Sequence, residues 1–163
     1  MKRYIDKPDL MKFRDLLYGD KHYQVPPYQR SYSWYYPRAV EFFEELCLGI
    51  NKSDYNFSFC GSIIAKHSDD DDDGYYELID GQQRFITIFI ILSILRDYSK
   101  VQYEKYSKRK PEVVREFILI ENECKKRLKT DGFRFSKRQR LKVGDLISSA
   151  FDHYIVDENS FDD

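Results

Sequence analysis

Cysteine, proline and glycine are all scarce in this 163-residue chain, and each scarcity excludes something. The three cysteines, Cys47, Cys60 and Cys124, are odd in number and widely spaced, with no CxxC pair and no histidine at metal-ligand spacing. That pattern argues against a disulfide framework and a zinc site and suits a reducing cytoplasm. Five prolines and seven glycines leave little room for linkers, and no internal repeat is visible. Met1 to Pro8 has charge with no apolar stretch behind it, so no signal peptide is expected. The longest apolar run, Phe85 to Leu95, is interrupted by Thr87 and Ser93 and falls short of the roughly 20 residues that span a bilayer. It reads as a core helix. A net charge of one sign is missing too: 27 Lys plus Arg against 28 Asp plus Glu give -1.

What is present is a globular composition, 42% hydrophobic, 34% charged and 17% aromatic, with enough chain for one hydrophobic core. Asp9 to Tyr18 places Leu10, Phe13, Leu16 and Leu17 at helical spacing, and Gly19-Asp20 ends it. His22 to Val25 reads as extended before Pro26-Pro27. Pro37 suits the first turn of a helix to about Asn51, with Val40, Phe43, Leu46 and Ile50 on one face. Phe57 to Ala65 and Tyr75 to Ile79 read as strands, joined by Ser68, five aspartates and Gly74. Five like charges favour an exposed hairpin loop, and their spacing does not suit a calcium loop. Helices are then expected from Asp80 to Ser99, from Glu112 to Lys129 after Pro111, and from a capping Asp145 to Tyr154, with a short strand at Leu141 to Val143.

The neutral total conceals a dipole. Lys100 to Lys142 contains 15 basic and 6 acidic residues, a local net of +9, which leaves -10 for the rest. Nucleic acid is therefore not excluded.

Leu78-Ile79-Asp80-Gly81-Gln82-Gln83-Arg84 crosses from a strand into a helix. Free backbone N–H groups and the positive dipole end make such a junction a natural phosphate site. Gly81 would let a phosphate approach, Arg84 would offer a planar fork of donors, Asp80 would hold magnesium or orient a water, and Gln82 and Gln83 would hydrogen-bond phosphate, water or base. The same spacing fits a capping box between Asp80 and Gln83, and spacing alone favours it, since every helix needs a cap. In Val25 to Trp34, Gln29 and Arg30 lie among Tyr28, Tyr32 and Trp34 behind two prolines. That composition suits stacking on a base and gripping a phosphate, or equally rings packed on the core with Arg30 paired to an acid.

The order of Pro-x-Tyr-Gln-Arg-x-Tyr-x-Trp (Pro26 to Trp34), Gly61-Ser62, and Ile-Asp-Gly-Gln-Gln-Arg with a Thr three residues on (Ile79 to Thr87) resembles the DGQQR domain. This is the N-terminal module of GmrSD-type modification-dependent restriction endonucleases and related phage-defence proteins. The resemblance covers about residues 8 to 100. It implies an α+β, ParB/sulfiredoxin-like fold, a small mixed sheet flanked by helices. Residues 1–100 would form the nucleotide domain, and 101–163 a basic helical extension packing on it.

The resemblance further implies binding and hydrolysis of a nucleoside triphosphate with Mg2+. Asp80, Gln83 and Arg84 would be catalytic, with Asp80 at the metal; Gly81, Gln82, Thr87, Tyr28, Gln29, Arg30, Gly61 and Ser62 would bind the nucleotide. Sulfiredoxin has a cysteine in the equivalent element; Gln82 follows Gly81 here, so sulfur chemistry is not expected. Family members of full length also have an HNH-like nuclease, whereas His22, His67 and His153 form no such pattern. The nuclease is thus expected on another chain or in a missing region, with this chain regulating it. The alternative is a non-catalytic reader of DNA or a modified base, held through Lys125, Lys126 and Arg127; a scaffold without turnover is a third reading.

Overall fold

In the computed structural model, residues 11–51, 60–67, 75–108, 110–130 and 138–156 are described. The aspartate loop Ser68 to Gly74, the strand residues before Cys60 and the first helix residues before Met11 lie outside them. The chain is α+β, as expected. A four-stranded mixed sheet has the order β2-β3-β1-β6, formed by β1 (His22–Gln24), β2 (Ile64–His67), β3 (Tyr75–Asp80) and β6 (Leu141–Lys142). The strand β1 runs parallel to both β3 and β6, and β2 pairs antiparallel with β3, as a hairpin requires. A separate two-stranded ribbon joins β4 (Lys129–Thr130) to β5 (Arg138–Gln139).

The described residues also form five α-helices: α1 (Phe13–Leu16), α2 (Tyr36–Asn51), α3 (Gln82–Tyr106), α4 (Pro111–Leu128) and α5 (Asp145–Ala150), the last continuing as a π-helical segment over Phe151–Val156. Among the described residues, no helix is long and apolar enough to cross a membrane. The N-terminal half of α3 is the centre of the core. Phe85, Ile86, Ile88 and Phe89 are all buried, which an apolar run with no polar face demands. Phe85 meets Tyr23 of β1 at 4.8 Å between ring centroids and Phe89 at 5.6 Å, and Phe89 reaches Phe151 at 6.2 Å. Burying each such phenyl ring contributes about 2–3 kcal/mol. Arg96 is buried as well, ion-paired with Asp97 at 2.6 Å and donating to the carbonyls of Ile155 and Tyr154, so it fastens the C-terminal segment to α3. Residue 100, where the basic segment begins, lies inside α3, and β6 from that C-terminal part completes the sheet.

Several expectations shift, each for a local reason. Within the strand expected over Phe57 to Ala65, the described residues 60–63 are not strand and β2 takes up at Ile64; Gly61, at φ +90°, breaks the extended run there. On α2 it is Phe42, not Phe43, that is buried, because Trp34 lies edge-on against it at 5.4 Å. The last helix has Asp145 as its first residue and Gly144, not Asp145, at the cap position. The apolar side chains Ile94, Tyr98 and Val101 of α3 and Leu119 of α4 are exposed along the α3–α4 hairpin.

Candidate functional site

Because β1 and β3 are parallel neighbours, the segments that leave their carboxyl ends emerge on the same side of the sheet. Ligands of open α/β sheets bind at such carboxyl ends. Here the two segments are the 25–34 loop after β1 and the Asp80-to-Arg84 junction after β3, so the two polar motifs of the sequence meet.

They meet through their own side chains. Gln83 Nε2 donates to the Ser31 carbonyl at 3.1 Å, and Gln83 Oε1 accepts the Ser33 N–H at 2.8 Å. Gln82 Nε2 donates to the Arg30 carbonyl at 3.2 Å, and Gln29 Nε2 donates to the Ile79 carbonyl at 3.1 Å. Thr87 donates its hydroxyl hydrogen to the Gln83 carbonyl, so Tyr32 must be the donor in its 2.9 Å contact with Thr87 Oγ1. A chain of hydrogen bonds thus runs from Tyr32 through Thr87 into the first turn of α3.

The capping box that spacing favoured is not formed. Gly81 occupies the cap position at φ +84°, no side chain caps the helix, and the Gln83 amide is turned to the loop instead. The α3 N-terminus therefore keeps the positive dipole end of a 25-residue helix without a capping carboxylate. A Cβ at Gly81 would sit 2.9 Å from the Ser62 carbonyl oxygen and 3.0 Å from Ile63, so the junction needs glycine for its φ and for the close approach of 62–63.

Arg84 folds back along the junction. Its Nη2 donates to the Ser62 carbonyl and lies 4.0 Å from Asp80, and a Cβ at Gly61 would meet its guanidinium at 3.0 Å. Gly61 and Ser62 are thereby brought to the junction as the seat of Arg84. Arg84 Nε, on the Gly61-Ser62 side, and Gln82 Oε1, in the side chain that faces the Arg30 carbonyl, are sealed from solvent without a hydrogen-bond partner. Asp80 is 61% exposed and faces outward. Burial raises the thiol pKa of nearby Cys60, with the Arg84 guanidinium pulling it down.

Of the rings in the loop, Tyr28 is 70% exposed. Tyr32 packs against the core, and Trp34 is sandwiched between Phe42 and the Arg38 guanidinium, 5.2 Å from the ring centroid. Arg30 is exposed and has no acidic partner among the described residues. Sequence reasoning undervalued Tyr32, whose role depends on Thr87, 55 residues away. The one available signal was that Tyr32 and Thr87 both belong to the two motifs.

Lys125, Lys126 and Arg127 lie on α4, away from the junction. Lys125 pairs with Glu121 at 2.8 Å, and Lys126 and Arg127 both pair with Glu123 at 3.1 Å. A shallow groove of about 250 Å³ between α3 and α4 is lined by Leu92, Leu119, Ile120, Glu123, Cys124 and Arg127. It contains none of the junction residues.

The donor set fits a phosphate-bearing ligand: an uncapped helix end beside the partly exposed Arg84 guanidinium. One exposed carboxylate at Asp80 fits magnesium, which commonly takes one or two protein carboxylates and completes its shell with phosphates and water. Among the described residues, no group of three or more His, Cys, Asp or Glu gathers.

The sequence matches the family described as GmrSD restriction endonuclease, N-terminal domain, over residues 13–161, and the chain belongs to that family. No curated protein matches it.

Proposed function

We propose that this member of the GmrSD N-terminal domain family serves a DNA restriction system as its nucleotide module, binding and hydrolysing a nucleoside triphosphate at the Asp80-to-Arg84 junction. The uncapped, glycine-shaped start of α3 beside Arg84 supports this most directly. The reaction asks little covalent chemistry of the protein; it asks for positioning and for positive charge where phosphate charge develops. The helix N–H groups and Arg84 supply that charge. Asp80 would hold magnesium or orient the attacking water, and magnesium, when bound, would neutralise phosphate charge. The glycines at 61 and 81 keep side chains out of the path. Hydrolysis would gate a nuclease domain or subunit that acts on DNA.

The reading as a non-catalytic DNA module stands second. DNA contact through Lys125, Lys126 and Arg127 would have to replace the pairs with Glu121 and Glu123.

The test is phosphate release from ATP, GTP, CTP and UTP with Mg2+ by the wild-type chain, Asp80→Ala and Arg84→Ala. Turnover of at least one triphosphate, lost in both variants while they remain folded, supports hydrolysis. Binding without turnover in the wild type would reduce the chain to a sensor.

A further inference from the structure

Helix α4 has two faces of different character. Glu121, Cys124 and Leu128 are buried on the inner one, and Phe117 meets Tyr98 of α3 there at 6.3 Å between ring centroids. On the outer one, Glu112, Arg115, Glu116, Leu119, Glu123 and Lys126 recur at three- and four-residue steps, and every one of them is exposed. Near the middle of the helix stand three consecutive apolar residues, Ile118, Leu119 and Ile120, with 39%, 53% and 41% of their surface exposed. Three such residues spread over about 200° of a helix, so α3 alone does not cover them all. Beside Leu119 opens the groove of about 250 Å³ between α3 and α4, to which Leu92, Ile120 and Cys124 also contribute.

The charges of the outer face are arranged about Leu119 as a self-complementary set. Glu112 and Lys126 lie equally far from it on opposite sides, and so do Arg115 and Glu123; in each pair the signs are opposite. When α4 is laid antiparallel on a second α4 with Leu119 at the two-fold axis, Glu112 of one copy faces Lys126 of the other and Arg115 faces Glu123. Symmetry makes each contact twice. Glu116 then falls opposite the neutral Asn122. Lys126 already binds Glu123 within its own chain at 3.1 Å, so the second copy extends that pair at both ends into a row of alternating sign. A parallel alignment in the same register sets every charge against its own kind. Nucleic acid asks for cations alone, and α4 has as many carboxylates as cations.

We infer that the outer face of α4 is a self-association surface, and that its occupant is a second copy of this chain, packed antiparallel with Leu119 at the two-fold axis. The apolar triplet forms the centre, the groove beside it seats the opposing apolar side chains, and the charged residues form a rim that fixes the register. The surface contains none of the residues at the Asp80-to-Arg84 junction, so it stands apart from the nucleotide reading.

The test is sedimentation velocity of the wild-type chain from about 1 to 300 μM, the range in which a small interface associates. A reversible monomer–dimer equilibrium is expected. Leu119→Arg sets two like charges on the axis and should leave the chain monomeric throughout, with the circular dichroism of the wild type because Leu119 is exposed. Glu112→Lys and Lys126→Glu test the same face without touching its apolar centre. Each alone sets like charges opposite one another and should weaken the dimer about tenfold or more. Mixed in equal amounts, the two variants restore both opposite-charge contacts across the axis, and a heterodimer should form within about threefold of the wild-type affinity. A wild-type chain that stays monomeric over the whole range, a dimer that survives Leu119→Arg, or a mixture that associates no better than its two components would overturn the inference.

Discussion

Gln83 Oε1 accepts the backbone N–H of Ser33 at 2.8 Å across 50 residues of sequence, one of the contacts that hold the loop after β1 onto the helix after β3. The same amide donates to Ser31, so one side chain satisfies an N–H and a carbonyl of the opposing segment.

Removing that clamp leaves two backbone groups to find other partners. Gln83→Ala should therefore destabilise the fold by about 1–3 kcal/mol and speed amide hydrogen exchange at residues 31–33. Tyr32→Phe, which removes only the donor to Thr87, should cost about 1 kcal/mol. Exchange at 31–33 that is unchanged in Gln83→Ala would mean that the loop is held by other contacts.

Gly81 carries two independent demands, a left-handed backbone and a close approach to Ser62. Gly81→Ala should lose about 2 kcal/mol or more in denaturant unfolding, from the backbone term and the crowding together. A variant as stable as the wild type would show that the Ser62-Ile63 segment moves aside freely.

Tyr23 is buried in the core and donates its hydroxyl to the Leu16 carbonyl. Burial, with Tyr76 as a lesser cause, pushes its pKa from 10.0 up to about 12. A folded-state pKa above the unfolded one means that its stabilising contribution is complete below pH 10 and is lost as the pH rises toward 12. Thermal melts should thus show an alkaline decline over that window, and Tyr23→Phe, although weaker at neutral pH, should flatten it. An equally steep decline in Tyr23→Phe would assign the effect to other groups.

The ion pairs on α4 make a prediction for DNA. Lys125, Lys126 and Arg127 already face Glu121 and Glu123, so replacing all three by alanine should leave the salt dependence of any DNA binding nearly unchanged. A fall of two to three in the slope of log affinity against log salt would instead place phosphates on α4.

Much of the fold was legible because its signals are local. The buried run from Phe85, Pro37 near the start of α2 and Pro111 at the start of α4 each specify an element through a few neighbouring residues. The site was legible in its composition and less so in its geometry. Asp80 and Gln83 have capping-box spacing, and a local reading gives the box; the outcome is decided instead by Ser31 and Ser33, which arrive only because β1 and β3 lie side by side. Phe42 replaces Phe43 for the same kind of reason, since Trp34 precedes the helix and helical spacing does not register it. Hydrogen bonds between segments 50 residues apart leave no period in a sequence.

The most direct test of the nucleotide site is a calorimetric titration of the four Mg-nucleoside triphosphates into the wild-type chain and into Arg84→Lys, with circular dichroism as the control for folding. Saturable one-to-one binding of at least one triphosphate by the wild type, weakened about tenfold or more in folded Arg84→Lys, is the expected result. No heat of binding for any of the four, or equal affinity in the variant, would contradict a nucleotide site at the start of α3.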